Sequence, residues 1–121
     1  MVSCLIVDDN AGFLVAAARL LQGQGMVVTG TATTGAEALR LLGQLLPDVV
    51  LTDIDLGQES GLELAERLDR AAPAAVILIS THCEQDYRDL IAASPAVGFL
   101  PKSDLSAGAI ERLLAGFADA G

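Results

Sequence analysis

The sequence predicts a three-layer α/β fold, a five-stranded parallel sheet covered on both faces by helices, and three observations carry that prediction. Five short aliphatic runs recur along the 121 residues, most of them continuously apolar rather than alternating, as in strands buried on both faces. The segments between them place apolar residues three and four apart, the period of a helix with one buried side. Glycine or proline punctuates the joins. Strands alternating with helices through short connections and right-handed crossovers build a parallel sheet.

The first strand is expected at 3–7 (SCLIV), followed by a helix with Leu14, Ala17, Leu20 and Leu21 on its buried face and Gly23 and Gly25 closing it. The second strand, 26–31 (MVVTGT), leads to a helix that buries Ala38, Leu41, Leu42 and Leu45 and stops before Pro47. The third, 48–52 (DVVLT), leads to Leu62, Ala65 and Leu68, then Pro73. The fourth, 75–80 (AVILIS), leads to Tyr87, Leu90 and Ile91, then Pro95. The fifth, 97–100 (VGFL), precedes a last helix with Ser103 as its expected N-cap and Ile110, Leu113, Leu114 and Phe117 inward. No linker, repeat or low-complexity segment interrupts this order, so residues 1–121 read as a single domain with no output domain of their own.

Composition removes several function classes. Seven basic residues against 16 acidic ones give a net charge of −9, which repels phosphate backbones and anionic lipid and argues against direct nucleic-acid binding. A hydrophobic share of 52% with three Phe and one Tyr as the only aromatics requires an aliphatic core, with a surplus expected to face a partner. The apolar stretches are shorter than a membrane span, and the N-terminus shows neither a basic region nor a cleavage site; the expectation is a cytoplasmic protein that does not enter a membrane. Cys4 reads as a small buried hydrophobe and Cys83 as an incidental thiol. His82 beside Cys83 supplies two adjacent ligands, too few for a metal cage.

In open parallel sheets, ligands sit beyond the carboxyl ends of the strands. Those ends carry Asp8 and Asp9, Asp53, Ser80 and Thr81, and Pro101 with Lys102. Carboxylates about 5 Å apart at an effective dielectric near 20 repel by about 3 kcal/mol per pair, so such a cluster calls for a cation. An oxygen-only site suits Mg²⁺ better than Zn²⁺, which favours His and Cys. A carboxylate held beside such a metal can attack phosphorus to give an aspartyl phosphate, with Lys102 neutralising the transferring oxygens and Ser80 donating to one of them.

The stretches LIVDDN, TGAEAL, PDVVLTDIDL, SGLEL, VILIS and GFLPKSDL, spread over nearly the whole chain, resemble the receiver domains of bacterial two-component response regulators. PKSDL resembles in particular the receivers of LuxR/NarL-type transcriptional regulators. The resemblance implies a flavodoxin-like (βα)5 sandwich of strand order 2-1-3-4-5. It further implies that Asp53 accepts a phosphoryl group from a histidine kinase. Mg²⁺ would be bound by Asp9, Asp53 and the backbone carbonyl of Asp55, with Asp8 acting through water. Ser80 takes the place of the switch hydroxyl, with Thr81 beside it, Lys102 that of the phosphoryl-pairing lysine, and Phe99 that of the aromatic switch. The Asp55 side chain and His82 are placed to tune phosphate lifetime. The chain departs from the family's pattern at Gly57, Ser60 and Ser103, and the loop GQESG is expected to be mobile.

On this reading the domain is a self-phosphorylating acceptor, not a multiple-turnover enzyme. Helix five, small-faced through Ala107, Gly108, Ala109, Ala115 and Gly116, is the expected homodimer surface. Two alternatives stand beside it. One is a receiver-like interaction module that is never phosphorylated, against which the full Asp8, Asp9, Asp53, Ser80, Lys102 set argues. The other is a haloacid-dehalogenase-type phosphatase with Asp53 as nucleophile and Asp55 as acid, against which the position of DID on the third strand and the missing cap domain argue.

Overall fold

The computed structural model of the protein describes residues 2–82 and 84–120, with residues 84 and 117–120 described by backbone alone. Cys83 and the inward side chain expected for Phe117 therefore lie outside the described residues. Five parallel strands form the central sheet: β1 (Ser3–Val7), β2 (Val27–Ala32), β3 (Val49–Asp53), β4 (Ala75–Ser80) and β5 (Gly98–Pro101). Their order is β2-β1-β3-β4-β5, with a separate two-residue hairpin of Asp55–Leu56 and Glu59–Ser60 left out of that count. The helices are α1 (Ala11–Gly23), α2 (Gly35–Leu45), α3 (Gly61–Ala71), α4 (Arg88–Ala92) and α5 (Ala107–Ala120).

Every residue of β3 is buried, because this strand runs between β1 and β4 with helices on both sides. Successive side chains of a strand point to opposite faces. One face collects Cys4, Ile6, Val49, Leu51, Ile77, Ile79 and Leu100 under Leu14, Ala17 and Leu21 of α1 and Ile110 of α5. Burial pushes the Cys4 thiol up to about 11, consistent with its expected role as a small hydrophobe. The other face collects Leu5, Val7, Val50, Val76, Leu78 and Phe99 under Ala38 and Leu42 of α2 and Leu64, Ala65 and Leu68 of α3.

Several expected positions differ in the structure. Leu20, Leu45 and Leu90 match the helical period yet are exposed, because each lies at the margin of its apolar stripe. In α3 it is Leu64 that is buried, while Leu62 is half-buried. Ser103 does not cap α5. It sits in a 3₁₀ turn, Lys102–Asp104, and Ser106 is the cap, its Oγ accepting from the Ala109 N–H at 3.0 Å. Ala107 and Ala109 are buried against the protein's own core, so of the five small residues expected at the surface of α5, Gly108, Ala115 and Gly116 face outward.

Three helix starts are tied to the ends of strands. Asn10 caps α1, Thr34 caps α2 and Ser60 caps α3, each side chain accepting from a backbone N–H three residues on. The GQESG loop, read from sequence as mobile, is held at both ends. Its residues Glu59 and Ser60 ladder with Asp55 and Leu56, and both Glu59 carboxylate oxygens accept from the Gly35 N–H at 3.2 Å. Gly57 turns the hairpin at φ +78°, a conformation that glycine adopts without strain.

Candidate functional site

Register brings the acids together. Val7, the last residue of β1, lies opposite Thr52, so Asp8 leaves its strand level with Asp53 on β3; Asp53 lies opposite Ile79, one residue short of Ser80. By the two-residue period, Asp8 and Asp53 lean toward the α1/α5 face, while Ser80 shares the other face with Phe99. A cleft of about 230 Å³ opens over these ends, lined by Asp8, Asp9, Asn10, Asp53, Asp55, Gly57, Ser80, Thr81, His82 and Lys102. All the sequence-predicted site residues except Phe99 line it.

Asp8, Asp9 and Asp53 each bring a carboxylate oxygen within 4.8 Å of the other two. Asp8 is fully buried, Asp53 nearly so at 8% exposure, and Asp9 is exposed. Two anions at that depth need compensation, and Lys102 supplies it: Nζ lies 2.6 Å from Asp8 Oδ2 and 2.9 Å from Asp53 Oδ2. Burial pushes the Lys102 ammonium down, but the two carboxylates outweigh it and hold the group above its ordinary 10.5.

The remaining carboxylate oxygens are fixed by backbone. Asp8 Oδ1 accepts from the Asn10 N–H at 2.9 Å, Asp53 Oδ1 from the Asp55 N–H at 3.0 Å, and Asp55 Oδ1 from the Gly57 N–H at 3.1 Å. Asp8 Oδ2 meets Lys102 as an ion pair but has no donor in hydrogen-bond geometry, an unfilled demand on a buried oxygen. Three carboxylates, one oxygen short of a donor and no nitrogen or sulfur ligand among them form a donor set that fits a hard divalent cation such as Mg²⁺.

On the far side of the cleft, Ser80 is buried and its Oγ accepts from the His82 N–H at 3.0 Å, which leaves its own proton free to donate. Thr81 and His82 are exposed, and the His82 ring meets Tyr87 edge-on at 6.0 Å. Phe99 does not line the cleft; it is 8% exposed and packs in the core cluster on the α2/α3 face, against which Tyr87 and Ile91 also pack.

Three residues at the site escaped the reading from sequence. Asn10 couples Asp8 to the start of α1. Gly61 is required because a Cβ there would overlap the carbonyl oxygen of Asp53, while its N–H donates to the Ile54 carbonyl at 2.7 Å. Phe13 lays its ring 4.3 Å from Lys102 Nζ. The signal available for Phe13 was its rarity, one of three phenylalanines, placed one turn after the Asp8-Asp9 pair.

Residues 4–112 match the response regulator receiver domain family. Response regulator GacA of Pseudomonas aeruginosa is 33% identical over 104 residues, covering 84% of this chain and 49% of GacA. A protein-glutamate methylesterase/protein-glutamine glutaminase of Burkholderia thailandensis is 32% identical over 113 residues, covering 89% of this chain and 31% of that protein. The chain thus spans half or less of the length of these curated relatives. Among solved structures, the receiver domain of the putative response regulator NarL from Mycobacterium tuberculosis superposes with a TM-score of 0.82 at 30% identity, covering 97% of this chain and 96% of that one. A Burkholderia pseudomallei response regulator with a phosphorylated aspartic acid, calcium ion and citrate superposes with a TM-score of 0.84 at 25% identity, covering 99% of this chain and 71% of that one. With the match spanning most of the sequence, the chain belongs to the receiver domain family of two-component response regulators and is a phosphoacceptor signalling domain.

Proposed function

We propose that Asp53 is the phosphoacceptor and that a histidine kinase is the donor. The observation that carries this is the pairing of a nearly buried Asp53 carboxylate with Lys102 at 2.9 Å inside a ring of acids. An Asp53 oxygen attacks phosphorus of a phosphohistidine; the O–P bond forms as the P–N bond breaks, and its electron pair returns to the imidazole. Lys102 then exchanges a carboxylate oxygen for a phosphoryl oxygen, and Ser80 donates its free proton to another, with Thr81 beside it at the rim.

Mg²⁺, when bound, neutralises charge on the phosphoryl oxygens during transfer. Asp9, Asp53 and the Asp55 carbonyl would hold it directly. Asp8, already engaged by Asn10 and Lys102, would act through water. Moving Ser80 toward the phosphoryl group opens space on its own face of the sheet, the face Phe99 occupies, so Phe99 is the side chain placed to follow it and reshape the surface of α4, β5 and α5.

No helix among the described residues is long and apolar enough to cross a membrane; the proposed place of action is the cytoplasm, where a histidine kinase would deliver the phosphoryl group. The domain acts as a switch and not as a multiple-turnover enzyme, and its signal passes to a partner or output surface. A phosphorylated homodimer would use the outward small residues Gly108, Ala115 and Gly116 of α5. Incubation with acetyl phosphate and Mg²⁺ is expected to add one base-labile phosphate by intact mass, and Asp53→Asn to abolish it. A phosphate that persists on the Asn variant overturns the assignment.

A further inference from the structure

The ammonium of Lys102 lies at ion-pair distance from two carboxylates, 2.6 Å from Asp8 Oδ2 and 2.9 Å from Asp53 Oδ2. Its third close neighbour is an aromatic face, the Phe13 ring, whose centroid lies 4.3 Å from Nζ. An aromatic face attracts a cation through its quadrupole and, unlike a third carboxylate or a water, brings neither charge nor a competing acceptor.

The ring is held there by the same backbone that holds Asp8. Asn10 donates its N–H to Asp8 Oδ1 at 2.9 Å, and its side-chain Oδ1 accepts from the Phe13 N–H at 3.1 Å, fixing Phe13 in the first turn of α1. Phe13 is half-buried and packs against the α1/α5 core, so the ring is braced from behind. Gly12 stays open beside this cap, since a Cβ there would come within 3.2 Å of Asn10 Oδ1.

From this geometry we infer that Phe13 is a positioning residue for Lys102: its ring face, set by the Asn10 cap, aims the ammonium between Asp8 and Asp53 and shields it from water. The inference rests on the proposed role of Lys102 at the phosphoryl group, and it assigns α1 a direct part in setting the phosphorylation rate. An aliphatic side chain of similar bulk would fill the space without holding the cation, whereas a tyrosine ring would do both.

The experiment compares Phe13→Leu, Phe13→Tyr, Lys102→Met and the Phe13→Leu/Lys102→Met double variant in acetyl phosphate labelling with Mg²⁺. NMR of the unphosphorylated proteins follows the Lys102 ε-methylene shifts and the exchange of its ammonium protons with water. Phe13→Leu is expected to slow labelling roughly three- to tenfold, Phe13→Tyr to restore most of the rate, and Phe13→Leu to have no further effect once Lys102 is replaced. In the spectra, the upfield ring shift at Lys102 should vanish and ammonium exchange should quicken in Phe13→Leu but not in Phe13→Tyr. An unchanged rate in Phe13→Leu, or an equal loss with and without Lys102, overturns the inference. Should the wild-type protein take no phosphate at all, the acceptor assignment fails instead, and the Lys102 spectra alone decide for or against Phe13.

Discussion

Two neighbouring strands leave the sheet beside the same cleft, and the segments that continue them are built differently. After β3 the chain is clamped: Asp53, Asp55 and Gly57 are joined by successive carboxylate-to-amide hydrogen bonds, Glu59 reaches across to α2, and α3 buries Gly61, Leu64, Ala65 and Leu68. After β4 the chain passes through exposed Thr81 and His82 into a 3₁₀ turn and a five-residue α4 with no fully buried residue and Leu90 55% exposed. Among the described residues of that turn and helix, Tyr87 and Ile91 pack partly inward. Asp53, the proposed nucleophile, thus stands on the rigid exit and Ser80, the proposed switch hydroxyl, on the loose one. Local stability follows buried apolar contact, so a small rearrangement costs less after β4 than after β3.

The largest effect that can break this comparison is in the two helices themselves. Leu64→Ala is expected to cost about 2–5 kcal/mol in urea unfolding, as for a fully packed leucine. Leu90→Ala should stay within about 0.5 kcal/mol, as for an exposed side chain. Native-state hydrogen exchange should show the α4 amides opening well before those of α3. Equal costs for the two leucines, or equal protection of the two helices, would remove the rigid-versus-loose distinction.

The same contrast explains which features were legible in the amino-acid order alone. Strand exits were legible because a continuous apolar run that ends abruptly in acids has one plausible placement, and Asp8, Asp53, Ser80 and Lys102 fell within one residue of their expected ends. The edges of helices were less legible. Leu20, Leu45 and Leu90 satisfy the helical period, but the width of a buried stripe depends on how the helix sits on the sheet, which spacing does not encode. Ser103 and Ser106 are both good caps in isolation, and the choice fell to Ser106 because Lys102 must curl back to two carboxylates, which winds residues 102–104 into a 3₁₀ turn first. The contact of Phe13 with Lys102 joins residues at opposite ends of the chain and leaves no local pattern.

A second test loads the clamped side alone. Asp9 is exposed and carries negative charge that no ion pair balances among the described residues, whereas Asp8 and Asp53 share Lys102. Mg²⁺ at ten times its Kd should stabilise the protein by about 1.4 kcal/mol. Asp9→Ala should remove most of that gain while leaving the metal-free protein as stable as before or slightly more so, since one source of repulsion is gone. Without phosphate, Mg²⁺ should slow hydrogen exchange across 53–60 and leave 84–92 as it was. A melting shift that survives intact in Asp9→Ala, or protection that appears first in α4, would count against both the metal assignment and the division of the rim.

The smallest effect, and the sharpest, concerns one residue from each exit. Asp55 is held on the clamped side by the Gly57 N–H, which an asparagine oxygen accepts equally well, so Asp55→Asn changes charge with little change of shape. His82 stands on the loose side, its ring only edge-on to Tyr87, so His82→Ala removes a group with no fixed position over the phosphoryl site. Both variants should still accept phosphate, because neither side chain bonds to the Asp53 carboxylate. The aspartyl phosphate half-life should move by roughly tenfold or less in Asp55→Asn, equivalent to about 1.4 kcal/mol in the barrier. In His82→Ala it should move by less. A phosphatase using Asp55 as general acid would instead lose about 10²- to 10⁴-fold in turnover on phosphate monoesters, and here no turnover on such esters is expected from either protein. A greater shift in half-life from His82 than from Asp55 would mean that the attacking water is organised from the β4 side, and the loose exit would then be the one that times the signal.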